Sequence, residues 1–545
     1  VLNSENMYVQ LRGKGGTYTY YPQVGDTPDG DKRVTVDSKY SVIVNLPNSI
    51  KKGDYELTVY NGYGDSTCIS EPLKVTIGDS PKALWPDYTV NVADLGATGD
   101  QNQNATPYFV TALSLLAEHG GGTLYIPAGY FKLMHSLVIP ENVTVKGAGM
   151  ERTYIVIIPL HYDLGELPMY HFAYTGNVSF EEFSILGSRA GKVFGCYATK
   201  DTENVHWKNI RYQKWTFTGA PTSAADGSGT LLYGYTANEV YAMLVSEQRT
   251  CASGFFYYNK TSVKIDNWRA DGLDIYSVGP VNLSTPAYYG GLRNGGIMNS
   301  KIEVAGSTFF SMTGSNFIYS HNEYNSVGQS ANGDNVYYSH NNYGNMPNNN
   351  HEIAVADEGI SYGSDLSGVI TPFEGDSTGR YFTINKNFNR GVLVGSSIDV
   401  VAGKGLGQTR KIVYNEGNVI QVDNAFEVSP TANSNIIIAG RKNYFVTENY
   451  FHDASSPIAF FGNGMDIIHD NNEYDEMIDC AFWARNSMVI WYLSVTNGNF
   501  HDPKAYHTVG FGDQTGKNSL YFYCSGVDGH RGSVVRDNIF DGYVF

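Results

Sequence analysis

Three segments between residues 88 and 149 decide the fold of this chain. They read YTVNVADLGATGD over 88–100, GGGTLYIPAG over 120–129 and LVIPENVTVKGAG over 137–149. Between the first two, apolar residues recur at helical spacing: Val110, Leu113, Leu116 and Ala117. Short alternating strands follow, separated by Pro and Gly turns. A helix that precedes such short strands predicts a parallel β-solenoid, because the open end of a solenoid must be covered to prevent edge-to-edge aggregation.

The same segments closely resemble the start of the catalytic domain in the pectate-lyase-like superfamily of right-handed parallel β-helix proteins. The shared motifs are Val-x-Asp-x-Gly-Ala-x-Gly-Asp at 92–100, the central GGGTLYIPAG and the closing Asn-Val-Thr-Val-x-Gly-Ala-Gly at 142–149. The chain departs from the family at 101–106, where QNQNAT replaces an Asp- and Thr-rich stretch. Most members cut polysaccharides, so the resemblance implies a polysaccharide-degrading enzyme related to the polygalacturonases.

The composition limits the classes of partner. The 545 residues have a formal net charge of -17, which argues against nucleic acid and anionic membranes because both require a basic surface. No apolar run is long enough for a membrane-spanning helix. Five scattered cysteines form no metal-binding spacing and no complete disulfide framework. The chain starts without Met, which fits a removed signal peptide, and we expect a secreted or cell-surface protein, bacterial in origin.

The chain divides into an N-terminal unit and a long repetitive domain. Residues 1–80 are predicted to form an immunoglobulin-like β-sandwich, because YSVIVNL at 40–46, YELTVY at 55–60 and LKVTI at 73–77 alternate between turns. A linker over 81–87 leads to the β-helix, predicted over 88–545. The stretch 363–440 breaks the repeat and is predicted to be an inserted β-barrel or β-sandwich module. The expected fold class is therefore all-β.

A repeat with the period of one solenoid turn runs through the second domain. Its unit is a strand ending in Asn and followed closely by an aromatic residue, and several successive copies lie roughly 20 to 27 residues apart. The instances are Asn322-Glu-Tyr324, Asn341-Asn-Tyr343, Asn449-Tyr-Phe451, Asn472-Glu-Tyr474, Asn499-Phe500 and Asn538-Ile-Phe540. Asn at a bend can bond the backbone of adjacent turns while the aromatic ring stacks inside, so we interpret these residues as structural.

Two acidic clusters are candidates for catalysis, since glycoside hydrolysis needs a proton-donating and an ionised carboxyl group. In the first, Asp271-Gly-Leu-Asp274 resembles the Asp-Gly-x-Asp of the polygalacturonases, whose first Asp is catalytic. Arg269-Ala replaces the family's Asn-Thr, and its later motifs are absent, so polygalacturonase activity itself is not implied. The alternative is a solvated turn with two Asp residues.

The second cluster lies at 351–358 and contains His351, Glu352, Asp357 and Glu358. In an extended strand Glu352 and Glu358 would lie roughly 20 Å apart, so one site cannot use both without a bend. We expect acids of the two clusters to converge on one face of the β-helix. A structural strand end is the alternative interpretation.

Aromatic and cationic residues around these clusters could bind substrate, because rings stack on sugars and Arg holds hydroxyl or carboxylate groups. The candidates are Trp268, Arg269, Tyr276, Tyr288, Tyr289, Arg293, His351, Trp483, Arg485 and Trp491. For Trp268 the alternative is a core residue inside the coil.

These patterns favour a glycoside hydrolase that cleaves a plant or microbial polysaccharide, with paired carboxylates and an inverting mechanism. No cofactor is required, and Ca²⁺ is compatible with the site. A polysaccharide lyase would need a Lys or Arg base, usually beside Ca²⁺, and Lys264, Arg269, Arg293 and Lys301 supply cations. A non-catalytic carbohydrate-binding β-helix protein needs no carboxylate pair and is the third alternative.

Overall fold

The structure is a computed structural model of the chain, and it divides into two compact units, Val1–Trp85 and Pro86–Phe545. The division falls inside the stretch 81–87 that the sequence predicts as a linker. The described residues are 2, 6–22, 34–157, 170–187, 192–214, 254–258, 263–277, 282–284, 292–332, 334–344, 355–357, 368–391, 393–439, 442–454, 458–460, 464–477, 481–484, 490–502, 518–524, 530–541 and 543–544.

The first unit is built from antiparallel strands. They are β1 (Tyr8–Gly13), β2 (Gly16–Tyr20), β3 (Val34–Ser38), β4 (Ser41–Val44), β5 (Gly53–Tyr60) and β6 (Leu73–Ile77). One sheet has the order β2-β1-β5-β6, and β3 pairs with β4 separately. The alternating residues Val9 and Leu11 of β1 are buried with Tyr55 of β5. An immunoglobulin-like topology for this unit stays a prediction.

The second unit begins with β7 (Thr89–Asn91) and the helix α1 (Thr106–Glu118). The helix buries Phe109, Ala112, Leu113 and Leu116 against the first turn of the coil. Val110, which the sequence places on this face, is instead 47% exposed. The apolar face is displaced by one residue because Phe109 packs edge-on against the ring of Phe131 below it.

The remaining strands of the coil are short and follow one another at each turn. Before the insertion they are β8 (Gly122–Ile126), β9 (Gly129–Leu133), β10 (Leu137–Val138), β11 (Val143–Gly147), β12 (Thr153–Ile157), β13 (Tyr170–Tyr174), β14 (Val178–Gly187), β15 (Lys192–Cys196), β16 (Thr202–Lys214), β17 (Gly254–Tyr258), β18 (Ile265–Ser277), β19 (Asn282–Ser284), β20 (Leu292–Met298), β21 (Lys301–Ser320), β22 (Glu323–Asn332), β23 (Asp334–Ser339), β24 (Asn342–Gly344) and β25 (Val355–Asp357).

Five strands then form the insertion, namely β26 (Gly368–Pro372), β27 (Tyr381–Phe388), β28 (Ser397–Ala402), β29 (Thr409–Val422) and β30 (Asn435–Ala439). The coil resumes with β31 (Lys442–Thr447), β32 (Tyr450–His452), β33 (Ile458–Phe460), β34 (Gly464–Asp470), β35 (Glu473–Asp475), β36 (Ala481–Ala484), β37 (Ile490–Thr496), β38 (Asn499–His501), β39 (Asn518–Cys524), β40 (His530–Arg531), β41 (Val534–Arg536), β42 (Ile539–Phe540) and β43 (Tyr543–Val544). Three 3₁₀ helices span Ser66–Cys68, Pro81–Leu84 and Val92–Leu95.

Each coil strand pairs in parallel with strands of the preceding and following turns. This arrangement is the right-handed parallel β-helix that the sequence predicts.

A ladder of buried asparagines fixes the register of successive turns. The Nδ2 of Asn341 donates to Oδ1 of Asn449 at 3.0 Å, and the Nδ2 of Asn449 donates to Oδ1 of Asn472 at 3.0 Å. Asn322 extends the ladder in the other direction, to Asn341. The same amides also bind backbone carbonyls, as in the 2.9 Å bond from Asn472 to Val446 O. The prediction that these residues are structural is confirmed for the four ladder asparagines, whereas Asn499 is exposed and stands in register with Glu473 on the outward face.

A column of stacked aromatic rings fills the interior of the coil beside this ladder. Ring centroids lie 4.8 Å apart for Tyr324 and Tyr343, and 5.1 Å apart for Tyr343 and Phe451. The column continues through Tyr474 to Phe500, whose centroids are 4.2 Å apart. Each of these turns therefore contributes one ring to the column and one amide to the ladder. At residue 498, glycine stands in the ladder position instead of asparagine.

The insertion is a closed barrel with strand order β26-β27-β29-β28-β30. Its core contains apolar residues such as Ile398 and Ile420. A buried ion pair joins it to the coil, because Nζ of Lys442 lies 2.9 Å from Oδ1 of Asp399, which is 1% exposed. Trp491 packs at the same junction with Ile437 and Met465. Trp491 is only partly buried there, so its binding of sugar stays a prediction.

Trp268 lies inside the coil and has no exposed surface. Its ring centroid is 4.8 Å from that of Trp207 and 5.2 Å from that of Phe256. A ring enclosed in this way cannot stack on a sugar at the surface. The prediction that Trp268 is a sugar platform is wrong, and the alternative of a core residue is correct.

Replacing Asn449 by Ala should lower the free energy of unfolding by about 1–3 kcal/mol, because neighbouring buried amides lose a partner. Thermal melting measures the effect. The matched control is Asn499→Ala, an exposed asparagine of β38 outside the buried ladder, where we expect roughly 0.5 kcal/mol. Equal losses in the two variants would contradict a special role for the buried ladder.

Trp268→Ala should destabilise the fold by about 3–5 kcal/mol, since truncation of a buried Trp leaves a cavity. Chemical denaturation of wild type and variant measures the loss. An unchanged unfolding midpoint would show that Trp268 does not fill the core.

Candidate functional site

The site is built on the outward face of the sheet that contains β12, β14, β16, β18, β21, β22, β24, β32, β35 and β38, which we call the outward strip. Parallel pairing places residues of successive turns side by side in two columns. The first column contains Arg211, Asp274, Lys301 and Glu323 in register. The second contains Gln213, Tyr276, Glu303 and Asn325. Alternate residues such as Ile275 and Ile302 point inward and anchor the strip to the core.

The first column alternates in charge. Nη2 of Arg211 lies 2.6 Å from Oε1 of Glu151, and its Nε lies 2.6 Å from Oδ2 of Asp274. One turn further, Nζ of Lys301 lies 3.2 Å from Oε1 of Glu323. Because strands stack about 4.8 Å apart, opposite charges on adjacent turns hold the side chains in fixed positions.

The acids keep both cations charged. The hydrogen bond from Glu151, with Asp274 adding to it, raises the pKa of Arg211 above its usual value. The hydrogen bond to Glu323 raises the pKa of Lys301. Arg211 in turn lowers the pKa of Glu151. The strip therefore presents fixed positive charges between carboxylates.

Asp274 and Glu303 form a diagonal pair of carboxylates on this strip. Glu303 lies one turn above Asp274 and two residues along the strand, so the Cα positions are about 8 Å apart diagonally. A Cα separation of this size allows the carboxyl groups to reach the roughly 6.5–9.5 Å spacing that inverting hydrolysis uses. The sequence analysis missed Glu303, although the alternation Asp-Ile-Tyr at 274–276 recurs as Lys-Ile-Glu at 301–303.

Tyr276 is the aromatic residue that accompanies this pair. It is 41% exposed and stands in register with Glu303. Its position fits the prediction that it binds substrate.

The other predicted residues of the first cluster lie beyond the bend at Gly272, which has a φ of +72°. A Cβ there would lie 2.5 Å from Oδ1 of Asn209, so a side chain at this position would be strained. Asp271 accepts from Nη2 of Arg269 at 3.2 Å and from Asn299 at 2.9 Å. Asp271 is thus held on the other side of the Gly272 bend and not beside Glu303.

Arg293 is also separated from the carboxylate pair by the bend at Gly272. It stands in register with Asp266 at the start of β18.

Several predicted site residues lie outside the described residues: Tyr288, Tyr289, His351, Glu352, Glu358 and Arg485. Asp357 and Trp483 lie in β25 and β36, of which only the backbone is described. The strand of Asp357 is three turns above that of Asp274, or about 14 Å along the axis. The convergence of the two acidic clusters stays a prediction.

A second polar cluster occupies the far end of the strip. Its members are Tyr450, His452, Glu473, Asp475, His501 and Asp502. Ligand atoms of Asp475, His501 and Asp502 lie within 4.8 Å of one another, so these residues could hold a metal ion. The sequence analysis missed the cluster, although YFHD at 450–453 and NFHD at 499–502 are a visible repeat.

No helix among the described residues is long and apolar enough to cross a membrane.

Comparison with known proteins identifies relatives of part of this chain. Mannuronan C5-epimerase AlgE5 from Azotobacter vinelandii is 32% identical over 124 residues, which cover 20% of this chain and 12% of the epimerase. The match therefore spans a small part of that relative's length.

Solved structures resemble this chain at lower identity. The A-module of the Azotobacter vinelandii epimerase AlgE6 has a TM-score of 0.40 at 11% identity, covering 82% of this chain and 99% of that one. An exopolygalacturonase from Thermotoga maritima has a TM-score of 0.37 at 12% identity, covering 83% of this chain and 92% of that one.

The family model described as rhamnogalacturonase A/epimerase, pectate lyase-like matches residues 89–159. These residues contain all three segments on which the resemblance in the sequence depends. At the start of its parallel β-helix, the chain carries the pectate lyase-like segment that the sequence predicts.

Proposed function

We propose that this chain is a glycoside hydrolase that cleaves a polysaccharide bound along the outward strip. The diagonal spacing of Asp274 and Glu303, about 8 Å between Cα positions, is the observation that carries this proposal. We further propose that it acts outside the cell or at the cell surface, where polymeric glycan is encountered.

The two carboxyl groups divide the proton transfers of an inverting mechanism. Glu303, in its protonated form, donates to the glycosidic oxygen as the bond from that oxygen to the anomeric carbon breaks. Asp274, oriented by Arg211, accepts a proton from the water that attacks the anomeric carbon from the opposite face. The pair supplies both transfers, so the proposal requires no cofactor.

A uronate-directed reaction, elimination or C5 epimerisation, is the second candidate. The sequence match to a mannuronan C5-epimerase favours it. Arg211 and Lys301 on the strip could also face a uronate carboxylate. In this case we propose that Ca²⁺ would assist in neutralising the uronate.

Asp274→Asn and Glu303→Gln should each reduce turnover by about 10² to 10⁴, because each removes a proton-transfer group and preserves its shape. Reducing-sugar release on a panel of neutral and uronate-containing polysaccharides measures the activity. Glu118→Gln, an exposed acid on α1, is the control and should retain full activity.

The same panel separates the candidate functions. Ultraviolet absorbance of an unsaturated uronide would indicate a lyase, and a changed uronate configuration by NMR would indicate an epimerase. Normal turnover in both acid variants would exclude this pair as catalytic groups. Glu352→Gln and Asp357→Asn, assayed in parallel, test the acids of the second predicted cluster.

Tyr276→Ala should raise KM about 2- to 10-fold and leave kcat within a few-fold, because stacking of ~0.5–1.5 kcal/mol contributes to binding in ground and transition states alike. Steady-state kinetics on the best substrate of the panel measures both constants. Tyr63→Ala, an exposed tyrosine of the N-terminal unit, is the matched control. A fall in kcat at constant KM would contradict the platform role of Tyr276.

A further inference from the structure

The imidazole of His501 is surrounded by carboxylates at the far end of the outward strip. Its Nε2 lies 2.9 Å from Oε1 of Glu473, and its Nδ1 lies 3.1 Å from Oδ1 of Asp475 and 3.6 Å from Oδ2 of Asp502. Register produces this arrangement, because β35 and β38 pair Asp475 directly with His501. Asp502 follows in a left-handed bend with φ of 47°, which turns its carboxylate back toward the ring.

Nδ1 of His501 faces two carboxylate oxygens, so a proton or a metal cation at this position would be stabilised. When Nε2–H donates to Glu473, the Nδ1 lone pair points at two carboxylate oxygens, which repel it. Ligands of one ion at about 2.0–2.2 Å stand roughly 3.0–3.5 Å from one another. The 3.1 and 3.6 Å separations from Nδ1 agree with that spacing.

Neighbouring groups already orient two of these ligands. The hydroxyl of Tyr450 donates to Oδ2 of Asp475 at 2.6 Å, so that Oδ1 is the oxygen that faces His501. Glu473 fixes the tautomer and the ring plane of His501. Metal-binding histidines and carboxylates in proteins typically have such outer partners.

We propose that Asp475, His501 and Asp502 bind one divalent first-row metal ion, with Zn²⁺ as its best representative. One imidazole nitrogen with two carboxylates suits Zn²⁺ or Mn²⁺ better than Ca²⁺, which takes oxygen ligands. Water would complete the coordination, since Asp502 is 74% exposed. This site is separate from the proposed hydrolytic pair, because Glu473 stands five turns, about 24 Å, from Asp274.

Titration calorimetry of Zn²⁺ into the chelator-stripped full chain tests the proposal, and we expect one saturable site per chain. His501→Asn should weaken this binding at least 100-fold. Glu473→Gln should weaken it about 10-fold at unchanged stoichiometry, since it removes only an outer partner. Co²⁺ should give a visible spectrum that His501→Asn abolishes, and Ca²⁺ should bind more weakly than Zn²⁺.

His119→Asn, a change at the capping helix, is the control and should bind Zn²⁺ as the wild type does. Asp502→Asn alters an exposed residue and keeps the test decisive if His501→Asn fails to fold. A wild type without a saturable Zn²⁺ site, or unchanged affinity in His501→Asn and Asp502→Asn, would overturn the proposal. Because none of these readouts uses glycan cleavage, its failure is distinguishable from failure of the hydrolase proposal.

Discussion

The hydrogen bonding of buried asparagine side chains between successive turns is the constraint on which the rest of the structure depends. The amide of Asn449 lies between those of Asn341 and Asn472, and each bond fixes one turn over the next. A slip by one residue would turn every inward side chain of a strand outward. The ladder and the aromatic rings beside it therefore determine which residues reach the surface together.

The outward strip is a consequence of this register. Arg211 and Asp274 are 63 residues apart in sequence but meet at 2.6 Å. Lys301 follows Asp274 in the same column and pairs with Glu323. Exposed single ion pairs usually contribute little stability. Their effect here is positional, because each charge restrains its neighbour on the adjacent turn and leaves a carboxylate, Glu303, beside the column.

The inserted barrel shows that the coil can be interrupted without loss of register. The Asn341 ladder bond reaches Asn449 directly, 108 residues later, with the barrel between them. The buried pair of Asp399 and Lys442 sits where the chain returns to the coil. Removing Lys442 alone would leave the buried charge of Asp399 uncompensated, which is far more costly than losing an exposed pair.

The sequence by itself determined the class of fold, the capping helix, the asparagine-aromatic period and the position of the insertion, because these depend on local spacing of apolar, Asn and Gly residues. It predicted Asp274 and Tyr276 as site residues but could not select the acid that stands beside them. Only the tertiary structure decided that Glu303 stands one turn from Asp274, that Trp268 is buried, and that His501 meets Asp475. Contacts across turns depend on the lengths of the intervening loops, which periodicity does not specify.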